Sequence, residues 1–336
     1  MNDRITSPNA ARARHQNRAM QDQLLASLDY LTGECAASGL FDLSSYASWR
    51  ARIVESRARP CCFGAYYDLV TAIDRGRKRQ IAALLEEIVH SEPAEASISI
   101  IRLGNDCTKR ETRRIRRFMG GAGTGASGVR RPKSGLAVAF EQTLREALDW
   151  IDRRTPELAE EIDATIREII LVGPDRLGRG AFEGGTSFKL TGALVLNAER
   201  DVSVSDLVLT LAHEAGHAVL FGECIDEMLV QNPDTELYWS PIRQAKRPLE
   251  GIFHAGFVSG RMLWALDHMD KDSGFSLHEQ IDMTTARAEA SEVFAECVSI
   301  IGQNARLTGT GKRILDDMRD ALKNRSPSKP SFQVAS

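Results

Sequence analysis

The chain has no run of about eighteen consecutive apolar residues, the length a helix needs to cross a bilayer. Its first residues, Met1-Asn2-Asp3-Arg4-Ile5-Thr6-Ser7-Pro8, hold no apolar stretch of the kind a secretory signal carries. No membrane span is therefore expected, and a cytoplasmic setting is. Paired cysteines are missing too. The six cysteines, Cys35, Cys61, Cys62, Cys107, Cys224 and Cys297, form no CxxC motif and no compact disulfide spacing, so reduced thiols are expected. Charge of one sign is not in excess: 43 basic against 46 acidic residues leave a formal charge of -3, which gives no global nucleic-acid signature and names no partner. No self-similarity recurs at solenoid periods. With 336 residues, the chain can bury a sizeable core without help from metal or disulfides, as one large domain or two ordinary ones.

What is present divides the chain by periodicity. Residues 1–18 are polar and read as a disordered tail. From Met20 to Leu31, Ser45 to Ile53 and Tyr66 to Val89, apolar residues recur every three or four positions, as in Leu24, Leu25, Leu28 and Leu31. Residues 19–128 therefore read as a helical N-terminal region. Within it, Ser97-Ile98-Ser99-Ile100-Ile101 alternates as a short strand would. Lys109 to Arg117 packs six basic residues into nine, ahead of a Gly-rich stretch from Gly120 to Gly128. Phosphate binding is disfavoured, because no apolar strand leads into Gly120 and no Gly-Lys-Ser/Thr closes the loop. A solvated basic helix beside a mobile linker is expected, with an electrostatic landing strip for an acidic peptide as the alternative.

Residues 129–325 read as the catalytic region and 326–336 as a loose tail. Ala139 to Trp150 and Pro156 to Ile170 are helix-like, and Ile169 to Val172 are strand formers. Thr186 to Thr191 and Ala193 to Asn197 should pair as a small antiparallel element turning at Gly192. Such a strand can hold an extended peptide by edge pairing, although most strands simply cover a core. Pro248 to Met269, Thr284 to Gly302 and Gly311 to Lys323 are again helical in pattern. The expected fold class is α+β, predominantly helical.

The chemistry concentrates in Leu211-Ala212-His213-Glu214-Ala215-Gly216-His217-Ala218. On a helix, residues four apart lie within about 40° of each other around the axis, so His213 and His217 can aim ring nitrogens at one cation. Glu214 points to the side of that pair, where it can accept a proton from metal-bound water or orient another group. Ser203 and Asp206 are spaced as a capping box before the apolar run, and Gly222 offers a stop. Leu207 to Phe221 leave few polar positions, so this helix should be buried nearly all round. Two imidazoles and a carboxylate buried there need partners, which favours metal over hydrogen-bonded core histidines.

Two histidines do not close a coordination sphere. Glu289, Glu292 or Glu296 would suit a zinc peptidase with a downstream glutamate ligand, Glu214 serving as general base. Cys224 is a soft alternative, but lies past Gly222 and is more naturally a small buried hydrophobe. The third candidate is His254. A binding protein that keeps such a site without turnover is a further possibility.

The segment before His254 reads Tyr238-Trp239-Ser240-Pro241-Ile242-Arg243-Gln244-Ala245-Lys246-Arg247-Pro248-Leu249-Glu250-Gly251-Ile252-Phe253-His254. An HExxH helix followed by Ser-Pro-x-Arg, Arg-Pro-Leu-x-Gly and a His resembles the bacterial HExxH-containing peptide-modification proteins. The Ser-Phe-x-x-x-Gly-Ala-x-x-Leu-Asn stretch from Ser187 to Asn197 belongs to the same match, which covers roughly residues 165 to 265. The resemblance implies an iron(II)- and 2-oxoglutarate-dependent β-hydroxylase acting on a peptide, in maturation of a ribosomally made precursor. It makes His213, His217 and His254 the iron ligands and leaves Glu214 beside the metal. The usual non-haem oxygenase face is two His and one carboxylate, so a three-His set is a departure. A keto acid with a distal carboxylate needs a planar cationic fork, for which Arg247 is the first choice and Arg243 the second. Ser240 can add a hydroxyl. Arg247 could instead be a plain helix-start residue, since Pro248 suits the first turn of a helix running to His254.

Overall fold

The computed structural model describes residues 4–39, 41–119, 128–175, 182–271 and 274–325. Four helices lead: α1 (Ala10–Ala37), α2 (Leu43–Glu55), α3 (Pro60–Asp74) and α4 (Lys78–Val89). Then come β1 (Ser99–Arg102), α5 (Lys109–Met119), β2 (Val129–Arg130), α6 (Ser134–Arg154), α7 (Pro156–Thr165) and β3 (Glu168–Pro174). β4 (Gly184–Thr186), a 3₁₀ turn (Phe188–Leu190) and β5 (Ala193–Asn197) precede α8 (Val204–Glu223). The hairpin β6 (Leu237–Ser240) and β7 (Ala245–Pro248) feeds α9 (Leu249–Met269), and α10 (Leu277–Asn304) and α11 (Gly309–Lys323) close the described fold. The class is α+β and predominantly helical, as the periodicity predicts. Among the described residues no helix is long and apolar enough to cross a membrane.

The main sheet has the order β1-β3-β5-β4, with β1–β3 and β3–β5 parallel and β4–β5 antiparallel. β2 pairs antiparallel with the end of β3. β3 and β5 are buried along nearly their whole length, as befits central strands covered on both faces. Alternation sorts their side chains. Ile169, Leu171, Leu194 and Leu196 join the large core built by α6 to α11. Ile170, Val172 and Val195 face Leu103, Ile115 and Met119 on the α5 side. The antiparallel pairing ahead of α8 matches expectation, but the parallel strands were not foreseen. Nor is Thr186–Thr191 one strand: pairing stops at Thr186, and Phe188–Leu190 coil into the 3₁₀ turn that buries Leu190.

The disordered reading of residues 1–18 is corrected for Arg4 onward. Asn9 caps α1 by accepting the Arg12 N–H at 2.9 Å, and Ile5 is buried in the large core. Polar composition hid a capped helix whose Ala13 and Gln16 turn inward. α1 runs through both halves of the molecule: Leu24, Leu25 and Leu28 belong to the core of α1–α4, whereas Gln16 packs on α8. The Gly-rich linker at 120–127 and the tail at 326–336 lie outside the described residues. Gly222 does not stop α8, which runs on to Glu223 with Cys224 as its C-cap. There a Cβ would stand 2.8 Å from Gln16 Cβ, so glycine is required by the close approach of α1.

Candidate metal centre

α8 begins at a capping box, Ser203 receiving the Asp206 N–H and Asp206 receiving the Ser203 N–H. The box sets the helix phase, and the apolar residues around it bury the helix on nearly every side. His213, Glu214 and His217 project into a cavity of about 410 Å³. His254, from the second turn of α9, lines the same cavity, as do Ser240, Arg243 and Arg247 from the β6–β7 hairpin. All seven residues singled out in the sequence therefore meet in one place. The glutamates of α10 do not: Glu289, Glu292 and Glu296 are exposed and line none of it. Cys224 is likewise outside the cavity wall.

His217 Nδ1 lies 3.1 Å from His254 Nδ1. Two nitrogens each about 2.0–2.1 Å from one cation stand about 2.9–3.4 Å apart for angles between a right angle and a tetrahedral one. The pair thus has the separation of two ligands on one metal. His213 is turned aside, its Nδ1 at 3.4 Å from Met262 Sδ and its ring centroid 4.9 Å from that of His217. Among the described residues no three His, Cys, Asp or Glu side chains stand as a closed metal-binding group. His213 lines the same cavity but faces Met262 rather than the His217–His254 pair.

The donor chemistry fits a cation. Metal-binding imidazoles must be neutral, and burial pushes His213 down to about 4, the Arg243 charge adding to the effect. Burial also drives His217 well below its ordinary value, reinforced by the neighbouring His213, His254 and Arg243. His254 Nε2 faces Glu250 Oε1 at 3.2 Å. A carboxylate only accepts, so Nε2 donates to Glu250, and Nδ1 is the nitrogen that faces His217. This is the arrangement by which a carboxylate fixes the tautomer of a liganding histidine. Sequence reasoning missed Glu250, although its spacing of four from His254 on one helix was the available signal.

Glu214 is buried against β4, and desolvation raises its carboxyl to about 7, with Thr186 partly opposing the rise. Its Oε2, like Oε2 of Glu250, is buried without a hydrogen-bond partner among the described residues. An unpartnered buried carboxylate oxygen beside three imidazoles is costly unless a cation or proton satisfies it.

The hairpin supplies the opposite charge. Arg247 on β7 pairs in register with Tyr238, and Ser240 with Ala245. Ser240 is buried and its Oγ accepts the Arg243 N–H at 3.4 Å, so the serine also shapes the turn. Gln244, with φ of 45°, closes that turn in the left-handed region. Among the described residues neither the Arg243 nor the Arg247 guanidinium has an ion pair or hydrogen bond from its side chain. Two guanidiniums without partners among the described residues thus share one cavity with three imidazoles, an arrangement chemically able to hold an anion beside a cation. No protein-family model matches the chain, and no curated protein matches it.

Proposed function

We propose that this cavity binds iron(II) and 2-oxoglutarate and hydroxylates the β-carbon of a peptide side chain, in maturation of a ribosomally made peptide. One observation carries the reading: Arg243 and Arg247, whose guanidiniums have no partner among the described residues, share a cavity with His213, His217 and His254. A peptidase needs no such pair of free cations, whereas a dianionic keto acid does. The resemblance of Ser240 to His254 to the peptide-modification proteins points the same way.

Iron(II) with 2-oxoglutarate and dioxygen supplies an oxidant able to place one oxygen on an unactivated C–H bond, with succinate and carbon dioxide as co-products. The residues would divide the remaining work. His217 and His254 would hold the cation, with His213 as the third imidazole of the cavity. Glu250 orients His254 through the Nε2 proton. Arg247 forks onto the distal carboxylate, and Arg243 offsets the remaining anionic charge. Phe221, Ile242, Ala255 and Val258 line the walls and restrict water near the reacting carbon.

Purified protein supplied with iron(II), ascorbate, 2-oxoglutarate and candidate peptides drawn from its genomic neighbourhood should release succinate in step with a one-oxygen gain on one of them. Arg247→Ala should abolish 2-oxoglutarate binding in anaerobic calorimetry while iron(II) still binds. Absence of keto-acid binding to the iron-loaded parent protein refutes the reading.

A zinc metallopeptidase is the second reading, favoured by Glu214 alone, since a buried carboxyl near 7 suits a general base. Its third ligand would be His254 rather than a glutamate of α10. Zinc-dependent cleavage of peptides, insensitive to Arg247→Ala, would establish it instead.

A further inference from the structure

α5 carries more positive charge than its surroundings neutralise. Lys109, Arg110, Arg113, Arg116 and Arg117 fall within an arc of about 120° of the helix, all exposed, while Arg114, Ile115 and Met119 turn inward. The inward Arg114 is held by Asp68 at 2.9 Å and Glu87 at 2.7 Å. The same two carboxylates are the partners of Arg117 and Arg110. Three arginines thus share two acids. Among the described residues Lys109, Arg113 and Arg116 have no ion pair at all. This face is a solvent-facing cation surface, not a balanced salt-bridge network.

A line of rings joins that surface to the cavity. Phe221 lines the cavity, its centroid 5.8 Å from His254 and 5.9 Å from Phe188. Phe188, which remains 37% exposed, is 6.3 Å from Tyr67. Lys189 Nζ lies over both Tyr67 and Phe118, at 6.0 and 5.4 Å. Arg117 also lies over the Phe118 ring, at 4.6 Å. The track is therefore aromatic next to the cavity and cationic at its far end. Partly exposed rings flanked by cations receive apolar and aromatic side chains and adjacent carboxylates together.

We propose that the Phe188–Tyr67–Phe118 strip and the basic face of α5 form a docking track for an acidic peptide segment with aromatic or aliphatic anchors, leading one end of that segment to the cavity. The direction of the track rests on the peptide-modifying reading of the cavity, but docking itself does not require turnover. Charge complementarity selects the occupant: the excess cations call for carboxylates, and the rings call for side chains that bury apolar surface.

The test is fluorescence anisotropy of the full chain with a labelled twelve-residue peptide alternating Glu or Asp with Phe or Leu, without metal or keto acid. The parent protein should bind it, and should ignore the same peptide with Lys in place of the acids. Arg113→Glu with Arg116→Glu should weaken binding by about tenfold or more and flatten its salt dependence. Phe188→Ala should weaken binding with the salt dependence retained. A photoreactive version of the peptide should cross-link to residues of α5 and to the 188–189 turn. Unchanged affinity in the double variant, cross-links confined elsewhere, or a labelled single-stranded RNA outcompeting the peptide would each overturn the proposal. Because binding alone is measured, its failure leaves the hydroxylase reading standing, and failure of succinate release leaves the docking track standing.

Discussion

Replacing Glu161 by glutamine removes one charge from beneath α8 and almost no volume. Glu161 on α7 is fully buried, and its partner Arg261 on α9 is 1% exposed. The two side chains are ion-paired, and the second Glu161 oxygen accepts the Asn9 N–H at 2.8 Å. The Arg261 stem passes under α8 at Gly216, where a Cβ would stand 3.1 Å from Arg261 Cγ. One guanidinium therefore sits where α7, α8, α9 and the start of α1 converge. Burial pulls the Arg261 pKa down, and Glu161 is what opposes it. Arg261 Nε and Nη1 have no hydrogen-bond partner among the described residues, so no other group takes over when Glu161 is neutral. Removing one partner of such a pair costs about 3–5 kcal/mol. For 336 residues an unfolding entropy of about 2.1 cal/mol/K per residue sums to about 0.7 kcal/mol/K, so Tm should fall by about 4–7 °C. Differential scanning calorimetry near neutral pH reads this directly. The double variant Glu161→Leu/Arg261→Met exchanges the pair for apolar side chains and should regain most of the loss. A Glu161→Gln Tm within about 1 °C of the parent, or a double variant no better than the single one, refutes the reasoning.

Three further outcomes follow from the geometry. In anaerobic metal titrations His254→Ala should lose iron(II) binding, Glu250→Gln should weaken it by about 10–100-fold, and Glu292→Ala should leave it unchanged. Gly222→Ala places a Cβ 2.8 Å from Gln16 Cβ and should cost about 1–3 kcal/mol in the urea midpoint, because α1 must shift rather than a flexible chain end. Glu199 accepts two bonds from Arg130, at 2.8 and 2.7 Å, and one from the Lys133 N–H at 2.8 Å. Arg130 first, then that backbone bond, holds its carboxyl below the ordinary 4.5. A folded pKa below the unfolded one contributes stability above the unfolded value and loses it as pH falls through the folded one. Glu199→Gln should therefore lower Tm at neutral pH and reduce its fall between about pH 5 and the depressed value, measured by thermal melts across that range.

The site was legible where its signal is local. His213 and His217 are four apart on a helix whose cap and apolar run are contiguous in sequence, so spacing alone places both rings. His254, Arg243 and Arg247 were reached through the pattern of their own segment, and the fold brings that segment to the same cavity. Signals that depend on distant pairing were invisible. The parallel partners of β3 are separated from it in sequence, and the early turns of α1 look polar until α8 is laid against Gln16. Gly222 illustrates the same limit: a glycine near a helix end reads as a stop, but here it serves a helix crossing. Glu161 and Arg261 stand 100 positions apart, and nothing in either local sequence announces a buried pair.

The β6–β7 hairpin supplies cavity groups that the HExxH helix lacks. Its register places Trp239 opposite Lys246 and Tyr238 opposite Arg247. Trp239 and Lys246 are exposed, whereas Arg247 lines the cavity and Ser240 is buried. A slip of one residue would exchange these faces, pointing Lys246 inward and Arg247 to solvent. Lysine would still bring a charge, but not a planar fork that meets a carboxylate with two parallel bonds. The register is pinned at one end by the Gln244 turn, with its N–H on Ser240 O at 2.9 Å, and at the other by Pro248, which begins α9. The same α9 then delivers Glu250 and His254 within its first two turns. Thus one hairpin places both cavity arginines, and the helix it feeds places the additional histidine and the carboxylate that hydrogen-bonds it. The cavity's third imidazole and both of its arginines come from this connection, outside the two-histidine helix.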